Sequence, residues 1–221
     1  MTRFLTLVSL LILLLSACGS PYKKLRPSGT HDAKTVSSAD IAKYRPVYPG
    51  LQKALYRCHV DGRFLFKKFH LSGILLFRNF QNGDTRVVFS NEMGFTFFDF
   101  GWDGSDSFKV NSIIPQLDKP AVIKTLRKDL ELVLVRNTHS VEIFLDGDTI
   151  YYRSSLPKGY AYYIVQATKL RRIEIARRKK VATIYPIGKR TDNDMPDSLS
   201  IVHHKAHFTI QAKKITDVSA E

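Results

Sequence analysis

From Leu51 to Ile215 the chain is a succession of short apolar runs broken by tight-turn signals, and this rhythm limits it to a largely antiparallel sheet or barrel. Leu51–Val60 meets Asp61-Gly62, a two-residue hairpin signal, and Arg63–Phe69 follows. Leu71–Phe80 ends at Asn82-Gly83, a second such signal, and Thr85–Ser90 returns. Gly94–Trp102 is a dense aromatic run closed by Asp103-Gly104-Ser105, with Phe108–Ile113 beyond it. Val141–Leu145, Thr149–Ser154, Tyr160–Ala167, Arg171–Arg177 and Val181–Ile187 continue the pattern. Leu199–His203 and Ala206–Ile215 close it.

One segment has a different period. Asp118 is placed to cap a helix with Pro120 in its first turn. Val122, Leu126, Leu130 and Val133 then recur at helical spacing, widened by Ile123 and Leu134. Lys124, Arg127, Lys128 and Glu131 fall on the other side. The spacing predicts an amphipathic helix over 120–134 laid on the sheet, with a membrane-surface helix as the alternative.

The N-terminus sets the address. Arg3 precedes an apolar run, Phe4–Leu15, and small residues lead into Cys18. That order is an export signal, and the run is shorter than the roughly 20 residues a spanning helix needs. Leu15-Ser16-Ala17-Cys18 resembles the lipobox of bacterial lipoproteins, which implies cleavage after residue 17 and acylation of Cys18, with palmitate among the acyl groups. Residues 18–50, punctuated by Pro21, Pro27, Pro46 and Pro49, read as a lipidated N-terminus and flexible tether. Residues 51–217 then form one domain. Only two cysteines occur among 221 residues, so with Cys18 acylated there is no disulfide framework. Cys58 beside His59 looks like a nucleophile next to a base, but neighbours on a strand point to opposite faces, and a buried thiol fits better. The formal charge of +14 favours an anionic partner. An exported chain meets lipid head groups or acidic polysaccharide more readily than nucleic acid.

A lipobox, a meandering sheet and one helix after the first strands together resemble the bacterial lipoprotein-localisation carriers and receptors, LolA and LolB. The passages that carry the resemblance are Leu71-Ser72-Gly73-Ile74-Leu75, Phe97-Phe98-Asp99-Phe100, Pro120–Leu134 and the closing hairpin, Met195–Ile201 with Phe208-Thr209-Ile210. It implies an incomplete β-barrel whose concave face is covered by helix and holds acyl chains. It also implies, for a receptor, an apolar side chain projecting from a loop toward the membrane. The turn Gln81-Asn82-Gly83-Asp84 carries no such tip, and the other loop with an aromatic is Gly101-Trp102-Asp103.

Strand alternation nominates the residues of the concave face. Leu75 and Phe77 oppose Arg78, and Val87 and Phe89 oppose Arg86. Phe98, Phe100 and Trp102 share a face, and Leu126 faces them from the helix. They line a ligand cavity or fill an ordinary core. Arg177-Arg178-Lys179-Lys180, between two strands, is either a solubilising tip or a contact for lipid head groups. His203, His204 and His207 alternate faces and lack a carboxylate or cysteine partner, so they do not read as a zinc site. Asp99-Phe100-Gly101 matches a kinase metal-binding triplet without the accompanying glycine loop. No motif asks for a cofactor, and no nucleophile has a convincing base. The sequence therefore reads as a mainly β (α+β) cell-envelope lipoprotein, outer-membrane and facing the periplasm. It is a curved antiparallel sheet or incomplete β-barrel, non-catalytic, that binds a lipid, lipoprotein or other hydrophobic ligand. The alternative is an assembly accessory with a solid core that binds another envelope protein.

Overall fold

The computed structural model describes residues 22, 25, 53–64, 67–136, 141–177, 179–187 and 195–215. The leader, Cys18, the rest of the tether and Arg178 lie outside the described residues. The strands are β1 (Lys53–Phe64), β2 (Lys67–Asn79), β3 (Thr85–Ser90), β4 (Thr96–Trp102), β5 (Phe108–Ile113), β6 (Val141–Asp146), β7 (Thr149–Leu156), β8 (Gly159–Gln166), β9 (Lys169–Ala176), β10 (Lys180–Ile187), β11 (Ser198–His203) and β12 (Phe208–Lys214). One helix, α1 (Pro120–Val133), falls between β5 and β6. The strands form a single antiparallel sheet in the order β5-β4-β3-β2-β1-β12-β11-β10-β9-β8-β7-β6, with β5 and β6 as its edges.

The helix shows that this sheet is curled. β4 and β8 stand eight strands apart, on the order of 40 Å in a flat sheet. Yet Trp102 Nε1 of β4 donates to Glu131 of α1 at 3.0 Å, while Tyr163 Oη of β8 reaches the carbonyl of Leu132, the next residue, at 3.5 Å. Two distant strands can meet one helical turn only if the sheet wraps around it. The expected curved sheet with a helix on its concave face is what the chain forms. One core fills the inside, drawn from alternate residues of nearly every strand: Tyr56 and Cys58, Leu75 and Phe77, Val87 and Phe89, Phe98, Phe100 and Trp102, then Tyr163, Ile173, Ile184 and Ile201.

Three local expectations are corrected. Asp61-Gly62 is not a turn: β1 runs through it, and Phe64 pairs with Lys67. Its glycine is a slot, since a Cβ there would press into the Phe69 ring and sit 2.8 Å from Phe208 Cβ. Asp61 pairs instead with His70 across the strands, at 2.7 Å. Asp118 does not cap α1; Lys119 occupies that position with no side-chain cap, and proline opens the helix as anticipated. The buried part of the helix is also shifted. Asp129, Leu130, Leu132 and Val133 are buried, whereas Val122, Ile123 and Leu126 are half-buried. Asn82-Gly83, by contrast, makes its hairpin, with Gly83 at φ 86°.

Gly73 marks the tightest approach in the sheet. It lies under the end of β3, where a Cβ would press on the Ser90 carbonyl and lie 2.9 Å from Asn91 Cα. Backbone cannot yield as a flexible side chain can, so Gly73→Ala should destabilise the domain by about 1–3 kcal/mol. Urea denaturation would read this, and an unchanged midpoint would show that the β3 end is free to shift.

Candidate functional site

The concave face divides into two halves beneath α1. On β2–β4, Leu75, Phe77, Val87, Phe89, Phe98 and Phe100 are all brought together and buried. They pack as an aromatic cluster: Phe98 stacks on Phe100 at 4.7 Å, Phe89 lies 5.8 Å from Phe98, and Phe77 meets Tyr56 edge-on at 5.7 Å. Leu126 packs against this core from α1 while remaining half-exposed. The other half holds a cleft where Val133 and the C-terminal end of α1 meet Leu170, Ile173, Ile184 and Leu199. Its volume is about 10 Å³, no more than one water-sized probe and far below the roughly 300 Å³ at which ligand pockets begin.

Polar contacts grip the C-terminal half of α1. Asp129 Oδ2 lies 2.5 Å from His203 Nε2, and both side chains are almost fully buried. Asp129 Oδ1 has no hydrogen-bond partner among the described residues, and Lys128 Nζ stands 3.8 Å away from it. Glu131 accepts from Trp102 and also from Arg127 Nε, at 2.7 Å. Just past the helix, Arg136 donates to Thr85 at 2.8 Å and pairs with Asp106. Among the described residues no buried polar contact of this kind holds the N-terminal half, where Ala121 is exposed. The sequence stripe hid the Asp129–His203 pair because a lone acid on an apolar face and one histidine of three carry no signal separately. His204 turns outward to Thr183 at 2.9 Å and His207 is exposed, so the three histidines diverge. Cys58 is buried beneath the sheet, which pushes its thiol up to about 12, while His59 faces the other way.

The rim bears an apolar tip that sequence reading misplaced. Trp102 is 2% exposed and belongs to the core. Among the described residues the most exposed apolar side chains are on the β3–β4 hairpin, where Met93 is 93% and Phe95 58% exposed. Asn91 Oδ1 holds the turn by accepting from the backbone of Met93 and Phe95 at 3.0 and 2.8 Å. A weak signal was present: Asn91-Glu92-Met93-Gly94 is a turn sequence carrying a methionine where polar residues are usual.

On the convex face, two residues from the tether segment are packed. Tyr22 stacks on Tyr162 with centroids 3.9 Å apart and meets Tyr151 edge-on at 6.0 Å. Leu25 packs on the same cluster with Ile164 and Ala176. The Tyr22 hydroxyl donates to Glu174, which is also held by Arg172 at 2.5 Å and Lys180 at 2.9 Å. Burial alone would raise the Glu174 carboxyl, but its bonds from Tyr22, Lys180 and Arg172 hold it below the usual range. Burial and the Glu174 contact push the Tyr22 phenol well up. Of the four basic residues flagged between β9 and β10, Arg177 and Lys179 are exposed and Lys180 is committed to Glu174.

No protein-family model matches this chain, and no curated protein does. Among solved structures it is similar to several, three of which follow. One is a DUF1329 family protein from Desulfovibrio piger, at 10% identity over 83% of this chain and 92% of that one, with a TM-score of 0.42. Another is a putative outer membrane lipoprotein-sorting protein domain from Vibrio parahaemolyticus, at 8% identity, 83% and 92% coverage and a TM-score of 0.43. The third is a LolA superfamily protein from Nitrosomonas europaea, at 9% identity, 80% and 89% coverage and a TM-score of 0.47. At such identities the likeness lies in the path of the chain alone.

Glu174 gives the Tyr22 contact a pH signature. A carboxyl lowered in the folded state contributes stability at neutral pH, and that contribution is lost as pH falls through the folded value. Tyr22→Phe keeps the stack and removes one donor, so it should cost about 2 kcal/mol at neutral pH. The gap to wild type should narrow on acidification. A gap that is constant with pH in urea titrations would show that the hydroxyl does not act through Glu174.

Proposed function

We infer that this chain is a cell-envelope lipoprotein whose concave face binds the apolar part of a lipid or lipoprotein. The observation that carries the reading is the uneven seating of α1. Its C-terminal half is fixed by Asp129–His203 and Glu131–Trp102, while Val122, Ile123 and Leu126 are only half-buried, Ile123 and Leu126 packing on the apolar core. An acyl chain entering there would lift the N-terminal half of α1 about its anchored end. It would trade helix-to-wall contact for ligand-to-wall contact, at roughly 25 cal/mol per Å² of apolar surface buried. The mouth would open on the same rim as Met93 and Phe95, because α1 begins where β4 and β5 meet, with Ile114 N bonded to the Phe97 carbonyl at 3.0 Å. Met93 then occupies the place of the apolar tip that the receptor resemblance implies. Cys18 supplies the anchor, and the chain performs no covalent chemistry on its ligand. The second reading, an accessory protein with a solid core, is favoured by the small size of the cleft under α1.

Titration of a fluorescent fatty acid into the full chain carrying Cys18→Ser separates the two. The first reading expects saturable, micromolar binding. It also expects Leu126→Glu, at a half-exposed position, to weaken binding at least tenfold with the circular dichroism spectrum retained. Absence of saturable binding by the parent chain rejects the carrier reading and leaves the solid-core reading. For the anchor, Cys18→Ser should abolish acylation and move the protein from membrane to soluble fractions. A wild-type N-terminus without lipid mass would overturn that assignment.

A further inference from the structure

We propose that the rim formed by five hairpin tips is a docking surface for anionic phospholipid head groups. In an antiparallel sheet the hairpins alternate between its two ends. The β1–β2, β3–β4, β7–β8, β9–β10 and β11–β12 connections therefore open on one rim, and the β2–β3, β4–β5, β6–β7 and β8–β9 connections on the other. Charge follows this division. The first rim carries Arg63, Lys68, Lys158, Arg177, Lys179 and Lys205, all exposed and none paired with a carboxylate among the described residues. Glu92, exposed on the β3–β4 tip, is the acid that stands among them. The opposite rim carries Asp84, Asp103, Asp106, Asp146 and Asp148 against two bases, the exposed Lys169 and Arg136, which is paired with Asp106.

Turn chemistry explains the acids and leaves the bases unexplained. Asp103 Oδ1 accepts from the backbone of Ser105 and Ser107 at 2.8 and 2.9 Å, and Asp84 Oδ1 accepts from that of Gly104 at 3.1 Å. Arg and Lys do no such work in a turn. Of the six, only Arg177 makes a tip contact through its charged group, from Nε to the Lys158 carbonyl at 3.0 Å. Long basic side chains projecting from successive tips form an arc of positive charge, with the apolar Met93 hairpin at one end of it. Phosphodiester head groups in a plane are the partner that matches an arc of cations beside an exposed apolar side chain. This inference does not depend on the concave face taking a ligand.

The test uses the full chain carrying Cys18→Ser, so that any contribution of the apolar leader is common to every sample. Rim variant Arg177→Glu/Lys179→Glu/Lys205→Glu is compared with Lys53→Glu/Lys109→Glu/Lys124→Glu, which makes the same net-charge change at exposed positions elsewhere. Each cation at an anionic surface is worth about fivefold in partitioning. The rim variant should therefore lose at least tenfold in co-sedimentation with phosphatidylglycerol-rich vesicles, and the matched variant less than half as much on a logarithmic scale. Equal losses in both would overturn the proposal in favour of diffuse charge. Equal binding of the parent chain to phosphatidylcholine vesicles would overturn it in favour of apolar insertion alone.

Discussion

The fold depends on one helix being gripped from several strands at once. An open sheet of twelve strands has a large apolar inner surface and no second layer to cover it. Burial requires the sheet to curl, and curling requires something for its halves to close upon. Helix α1 supplies that: Trp102 from one side, Tyr163 from the other and His203 from between them all reach residues 129–132. The Asp129–His203 contact is the costly member of this set. Two polar groups withdrawn from water repay their desolvation chiefly through each other, and the other Asp129 oxygen has no hydrogen bond among the described residues and only Lys128 Nζ at 3.8 Å. An apolar pair would fill the space as well. What the polar pair adds is register, because it is satisfied at one position of the helix and at no neighbouring turn.

The proposed function would divide the helix: the half that contributes buried polar bonds stays fixed, and the half-buried N-terminal half would be exchangeable. Apolar contact is non-directional, so an acyl chain can replace leucine and isoleucine on the same wall with little penalty in geometry. A hydrogen-bonded end cannot be replaced in that way. The same separation appears in the loops. Hairpin tips that must hold a tight turn use aspartate, asparagine and glycine, while the tips of the other rim spend their positions on long cations and a methionine.

Much of this was legible in the sequence because period and burial agree. Alternation assigned Leu75, Phe77, Val87, Phe89, Phe98 and Phe100 to one face, and they share it. Helical spacing placed α1 to within a residue. The failures come where a residue's role is set by something distant. Gly62 followed an aspartate and looked like a turn, but the ring of Phe69 from the next strand occupies its missing side chain. Trp102 looked like a loop tip because its strand ends there, yet α1 folds back over it. Asp129 falls on the apolar stripe and carries no signal of its own in the sequence, since its partner lies 74 residues away. Met93 stood in a turn whose apolar side chain gains meaning only when the other tips of that rim are known.

For a chain acylated at Cys18, as proposed, Tyr22 would change the mechanics of attachment. A flexible chain as long as the stretch from Cys18 to Lys53 would let a membrane-held domain wander on the order of 30 Å from its point of attachment. With Tyr22 seated on Tyr162 and Glu174, four residues separate Cys18 from the packed point, about 14 Å at full extension. An acyl chain on Cys18 would then hold the barrel as a moored body and not as a float on a long line. The volume it can explore would shrink roughly tenfold, since volume goes as the cube of reach, and its local concentration at the bilayer would rise in proportion. Release of one tyrosine would lengthen the mooring and let the same domain reach across to a more distant surface.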